Sequence, residues 1–201
     1  GNSSSPTASI ADPETGSPAP ESPAAAPAKR YDDKHPTVVI HTSLGQITVE
    51  LDAEHAPITV DNFLGYVTRS FYDGTIFHEV ENEFIVLGGG YTPALAEKPT
   101  DSPIRNEAHN GQLNVRGSIA MARKPDAMDS ATSQFFINLA NNTALDFRSA
   151  TADGYGYCPF GKVTAGMDVV EKIAASAVRT SGTFDKLPVE TVTIQSIERI
   201  R

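Results

Sequence analysis

The sequence predicts a mainly β domain: an all-β core, a closed barrel of about eight strands, plugged by two α-helices. Three observations point there. Short β-rich runs recur between residues 37 and 200, each bounded by Gly, Pro, Asn or Asp. Only two segments carry the apolar stripe of a helix. There is no internal repeat that would suggest a solenoid or propeller. A closed barrel of this size is filled by its own inward side chains, so function is expected on the outer face or the rim.

Residues 1–35 read as a disordered Pro/Ala/Ser-rich tail and residues 36–201 as one folded domain. Of residues 1–30, 21 are Pro, Ser, Ala or Gly and none is aromatic. Such a segment cannot bury enough apolar area to offset its chain entropy. From Thr37 to Thr42 the chain turns β-rich, and Ser43-Leu44-Gly45-Gln46 supplies a turn. Ile47, Val49 and Leu51 then alternate with Thr48 and Glu50, the period-two mark of a half-buried strand. Pro57 opens the first helix, where a missing N–H costs little. Val60, Phe63, Leu64 and Val67 form its apolar stripe. Asp73-Gly74 is a turn and Thr75–Val80 a strand, followed by a second apolar run that leads into Gly88-Gly89-Gly90. Residues 92–117 are loop-rich. Ser118–Arg123, Ser133–Leu139 and Phe160–Val163 are the next strands. A second helix covers Met167–Ala175, and the last strand lies within Val189–Ile200.

The totals exclude several function classes. Net charge is -9 and the sequence pI about 4.9, with no long Lys/Arg cluster, so nucleic acid is not an expected partner. No apolar run approaches the roughly 18–20 residues that span a bilayer. The five histidines show no metal-ligand spacing, and neither a metal nor a cofactor is expected. Gly88-Gly89-Gly90 lacks the Lys-Ser/Thr of a phosphate loop and reads as close backbone approach. The single cysteine, Cys158, sits between apolar neighbours as a buried inert thiol. Glu79, Glu81 and Glu83 would share one face if their strand continued. They either attract a cation or a basic peptide, or form a solvated acidic loop.

Several ordered runs then resemble one family. These are Phe77-His78, Phe84, Gly88-Gly89, Asn114-Val115-Arg116-Gly117-Ser118-Ile119-Ala120-Met121-Ala122-Arg123, Ala131-Thr132-Ser133-Gln134-Phe135-Phe136-Ile137 and Phe160-Gly161-Lys162-Val163. Over about residues 37–200 the chain resembles the cyclophilins, peptidyl-prolyl cis-trans isomerases (rotamases). Asn106-Glu107-Ala108 and the Arg116–Arg123 segment are similar to the bacterial branch. The resemblance implies an eight-stranded antiparallel closed β-barrel capped by two α-helices, and an enzyme that assists protein folding without a cofactor. It implies a proline pocket of Phe84, Ile85, Ala122, Phe136 and Leu145, with Tyr157 on the rim, Leu87 and Arg123 at the substrate, and Gln134 holding the substrate backbone. His78 matches a family residue and is given a structural role.

The departures fall in one stretch. Where the family has Phe-His-Arg, this chain has Phe77-His78-Glu79. The family arginine is the cationic donor to the proline nitrogen, whereas an ionised glutamate only accepts. A family glutamine is replaced by Leu87, and an Ile-Pro-Gly turn by Glu81-Asn82-Glu83. Two functions are therefore expected: an isomerase of reduced catalysis acting on X-Pro segments, or a proline-peptide binding module with little turnover. Proline-containing peptides or unfolded proteins are the expected partners, bound by a monomer. The Pro/Ala/Ser tail suits a periplasmic or membrane-tethered exported protein, and a cytoplasmic linker as the alternative.

Overall fold

The computed structural model describes residues 32–201, together with Gly1. Most of the expected tail lies outside the described residues. Residues 32–35 are tied to the domain: the Ala53 N–H donates to Lys34 O (2.9 Å), and Lys34 Nζ meets Glu54 Oε1 at 2.7 Å.

In chain order the elements are β1 (Thr37–Thr42), β2 (Gly45–Leu51), α1 (Pro57–Thr68), β3 (Phe77–Glu81), β4 (Ile85–Gly88), β5 (Ser118–Met121), β6 (Phe135–Asn138), β7 (Pro159–Ala165), α2 (Met167–Ala174), β8 (Val178–Ser181), β9 (Phe184–Pro188) and β10 (Ile194–Arg199). Eight strands form one antiparallel sheet in the order β10-β1-β2-β7-β5-β6-β4-β3. The sheet curls until its two edges meet. The Gly74 N–H donates to Ile194 O (2.9 Å), Ile194 N–H to Thr75 O (2.7 Å) and Phe77 N–H to Val192 O (3.0 Å), around an Ile76–Thr193 bridge. The eight strands and two helices are those the sequence predicts. Closure rests on this short seam and not on a full ladder between β3 and β10.

Alternation along the strands fills the interior. Val38, Ile40, Ile47, Val49 and Leu51 are all fully buried, and the intervening residues of β1 and β2 are not. Helix α1 closes one end with Thr59, Val60, Phe63, Tyr66 and Val67 buried. Phe63 packs on Phe135 and Phe160, with ring centroids 5.6 and 5.3 Å away. The N-cap of α1 is Ala56, which has no side-chain oxygen. Glu107, 49 residues on from Ile58, caps the helix instead. It accepts the N–H groups of Ile58 (3.2 Å) and Thr59 (2.8 Å) and the Thr59 hydroxyl (2.7 Å). A buried carboxylate at a helix N-terminus satisfies orphan donors and complements the helix dipole. Helix α2 presents Val169, Val170, Ile173 and Ala174 inward.

Among the described residues, the β8–β9 hairpin is the strand pair the sequence reading lacks. Val178, Arg179 and Thr180 are all exposed, so β8 shows none of the apolar alternation that reveals a strand. The hairpin lies against β3, anchored through Phe184 and the buried Leu187.

Candidate active site on the outer face of the sheet

The site follows from strand register. Val86 pairs with Ile137, and Ile137 with Ile119; these three side chains point into the barrel. Their neighbours must point out. Leu87 pairs with Phe136 and Phe136 with Ala120, while Ile85 lies two residues from Leu87 on the same face. Ile85, Ala120 and Phe136 form a second apolar cluster, separate from the core and only 8%, 0% and 2% exposed. Phe84, Leu87, Ala122, Leu145 and Tyr157 rim it half-buried. The Tyr157 ring meets Phe136 edge-on at 5.7 Å. Every apolar site residue expected from the sequence is brought together here. Ala120 is the addition: it lies two residues from Ala122 on the same face, and that period-two relation is the signal that could have found it.

Three buried asparagines fix the rim. The Asn142 amide donates to Phe84 O (2.9 Å) and to Asn138 Oδ1 (2.7 Å). Asn138 donates to Asn114 Oδ1 (3.2 Å) and Ser118 Oγ (2.9 Å). Asn114 donates to Leu145 O (3.1 Å) and Tyr157 O (3.2 Å). One connected network thus holds the backbones of Phe84, in the β3–β4 turn, and of Leu145 and Tyr157, at two points of the long β6–β7 connection. Sequence reasoning missed it, because a lone Asn looks like a turn residue.

Beside the cluster lies a cleft of about 510 Å³ that shares Ala122, Arg123 and Gln134 with the site. Gln134 packs over Gly90, where a Cβ would stand 2.5 Å from Gln134 Cγ and would push that side chain from its place. Gly89 has φ +83°, which turns the chain out of β4. Arg123 stacks on the Tyr157 ring at 4.9 Å, but its guanidinium serves the scaffold. It donates to the carbonyls of Gly156 (2.8 Å), Ala152 (2.9 Å), Lys124 (3.0 Å) and Pro125 (3.1 Å). It orients Tyr157 and pins two loops.

Glu79 stands on β3 directly opposite Leu87, one strand outside the cluster. It is half-buried, and among the described residues no hydrogen bond or ion pair reaches its carboxylate. Burial raises its pKa above the ordinary carboxylate value. Glu81 and Asp185 add to the shift, and Lys186 opposes it. Glu81 shares the face but is paired with Lys186 Nζ at 2.7 Å. The condition under which three carboxylates would share one face is not met: β3 ends at Glu81, and Glu83 has φ +60° in the following turn. A left-handed residue breaks the alternation, so Glu83 belongs to the loop. Lys186 comes from the unforeseen hairpin and carries no motif signal.

His78 sits in a β-bulge, with a register shift between Phe77 and Glu79. It is 4% exposed, its Nδ1 lacks a partner among the described residues, and its ring packs on Tyr91 (4.6 Å) and Phe184 (5.8 Å). Burial lowers its pKa from 6.5 to about 4, partly opposed by the Ile76 backbone and Gln134. It is a packed side chain and not an exposed base. Cys158 is buried, and burial pushes its thiol up to about 12. Among the described residues no three His, Cys, Asp or Glu side chains converge to hold a metal ion, and no helix is long and apolar enough to cross a membrane.

Comparison with known proteins bears on this geometry. The family described as cyclophilin type peptidyl-prolyl cis-trans isomerase/CLD matches residues 37–199. Peptidyl-prolyl cis-trans isomerase B of Escherichia coli (strain K12) is 47% identical over 160 residues, covering 80% of this chain and 97% of that one. Peptidyl-prolyl cis-trans isomerase cyp18 of Streptomyces antibioticus is 48% identical over 160 residues, covering 80% and 96%. Among solved structures, a cyclophilin-type isomerase of Cryptosporidium parvum superposes with a TM-score of 0.71 at 25% identity, covering 83% of this chain and 98% of that one. The same protein crystallised in the presence of the dipeptide Ala-Pro gives 0.70 at 25% identity, covering 82% and 99%.

Proposed function

The chain belongs to the cyclophilin-type peptidyl-prolyl cis-trans isomerases, and from that premise we propose that it binds X-Pro segments of unfolded chains and isomerises them with reduced turnover. The X–Pro amide rotates over a barrier of about 18–20 kcal/mol and takes tens to hundreds of seconds uncatalysed. Catalysis requires the site to favour the twisted amide over either planar form. The outer-face cluster of Ile85, Ala120 and Phe136 takes the proline ring, and its rim, held by the asparagine network, fixes the ring's orientation. The Gln134 side chain, at the boundary between cluster and cleft, takes the substrate backbone. These groups supply shape selection and removal of water. None of them supplies a positive donor for the proline nitrogen as its lone pair localises.

The observation that carries the reduced turnover is Glu79 opposite Leu87, an unpaired acceptor where the family places its donor. Arg123 does not replace that donor, because four of its five N–H groups are engaged by backbone carbonyls of two loops. The same observation favours a second reading, a module that holds proline segments with almost no turnover. NMR exchange spectroscopy on an acetylated Ala-Ala-Pro-Ala amide separates the two. Glu79→Arg is expected to raise kcat/KM by about a hundred- to a thousandfold, the usual worth of one preorganised donor. Wild type within about threefold of that variant refutes the reduced-turnover reading. Wild type that binds the peptide at the uncatalysed exchange rate establishes the binding module.

A further inference from the structure

We propose that Glu79 makes this site selective for proline segments with a basic residue, arginine or lysine, next to the proline. The inference rests on the prolyl-binding reading above and names the substrate class of that same site.

Position comes first. Glu79 and Leu87 are direct cross-strand partners, and Leu87 is the direct partner of Phe136. Neighbouring strands lie about 4.8 Å apart, so the Glu79 backbone is roughly 10 Å from that of Phe136. Successive Cα atoms of a bound peptide are about 3.8 Å apart. A residue adjacent to a proline seated on Phe136 therefore starts about one strand spacing from Glu79. A lysine or arginine side chain spans what remains, with its aliphatic stem over Leu87.

Availability comes second. Glu81 is engaged by Lys186 at 2.7 Å, and Glu83 has left the strand. Glu79 is the carboxylate on this wall with no partner among the described residues. It is half-buried against an aliphatic neighbour, so it stands poorly solvated in the free protein. A substrate cation would complete it, whereas a substrate carboxylate would meet uncompensated negative charge. The local charge has the same sign: Glu81 and Asp185 act on Glu79 as like charges, against one lysine, Lys186. Like-charge juxtaposition excludes wrong partners as effectively as pairing rewards right ones.

The test is a set of blocked peptides, Ac-Ala-Xaa-Pro-Ala-NH2 and Ac-Ala-Ala-Pro-Xaa-NH2 with Xaa Arg, Ala or Glu, plus Ac-Ala-Arg-Ala-Ala-NH2 as the proline-free control. Binding is followed by amide shifts at Leu87 and Phe136 at 20 mM and 500 mM salt, and the same spectra report whether each variant folds. Wild type is expected to bind an Arg-Pro or Pro-Arg peptide about tenfold more tightly than its Glu counterpart at low salt. High salt shrinks the ratio. Glu79→Gln is expected to bring it to about twofold, and Glu79→Arg to invert it. Equal binding of Arg, Ala and Glu peptides overturns the inference and leaves the prolyl site standing. Binding of the proline-free control as tight as the Arg-Pro peptide also overturns it. If no proline peptide of any charge binds wild type, the prolyl reading falls and the inference falls with it.

Discussion

Acidification should destabilise this domain through His78, and the magnitude follows from its burial. The side chain is 4% exposed between Tyr91 and Phe184, and its pKa falls from 6.5 to about 4. A depressed folded-state pKa means that the fold prefers the neutral ring. The stabilisation is complete above pH 6.5 and is lost as pH falls toward 4. A shift of about 2.5 units at 1.36 kcal/mol per unit amounts to about 3 kcal/mol, of which about 2 kcal/mol is gone by pH 5. The loss has a local consequence. His78 precedes Glu79, and its charging strains the bulge, the Gly90-Tyr91 segment and the β9 anchor together. Urea unfolding of wild type and His78→Phe from pH 7 to 4.5 isolates the effect, because the other titrating groups are common to both. With an m-value near 2 kcal/mol/M, the difference in midpoint between the two proteins should move by about 1 M between pH 7 and 5, against wild type. A difference that stays flat over that range, or a His78 ring proton that titrates near 6.5 by NMR, refutes the burial argument.

Two further outcomes concern the scaffold. Glu107→Ala orphans the Ile58 and Thr59 donors at the start of α1 and should cost about 2–4 kcal/mol in urea unfolding, more than an ordinary surface cap. Asn142→Leu leaves Asn138 Oδ1 without its donor and Phe84 O with only the Leu139 N–H (2.8 Å), at about 1–3 kcal/mol. It should also raise the KM for X-Pro peptides while Glu107→Ala leaves it unchanged, because only Asn142 holds the rim.

The strands and helices were legible because the sheet is half-buried on a two-residue period. Ile47, Val49 and Leu51 name their own face, and Val60, Phe63 and Val67 name that of α1. The proline cluster was legible through the resemblance, since Phe136 alone looks like core beside Phe135. What stayed hidden is what depends on distant partners. Glu107 caps a helix 49 residues earlier, and no local pattern announces that. Asn114 meets Asn138 and Asn142 only after the β4–β5 connection folds against the end of β6. In the β8–β9 hairpin, Val178, Arg179 and Thr180 of β8 are exposed and Ser181 is only partly covered, so hydrophobic period says nothing about it. Glu83 was undecided for a related reason: alternation holds only while the backbone stays extended, and a φ of +60° ends it.

Glu79 and Leu87 account for one another. Glu79 and Leu87 are cross-strand partners on the outer face, so neither touches the barrel interior, and both can change without disturbing Val86 or Ile137. Where the family has a glutamine, Leu87 offers Glu79 no hydrogen bond. The nearest lysine, Lys186, is engaged by Glu81. An aliphatic partner and an occupied lysine leave the carboxylate unpaired, and burial raises its pKa. A raised folded-state pKa means that this group favours the fold most when protonated, below the usual carboxylate range, and that this contribution is lost as pH rises through the raised value. At neutral pH an unpaired Glu79 is therefore a cost to the folded protein that a glutamine would not impose. A proline segment carrying its own cation would remove that cost on binding, so the proposed selectivity of the site would rest on the same residue that is proposed to limit its turnover.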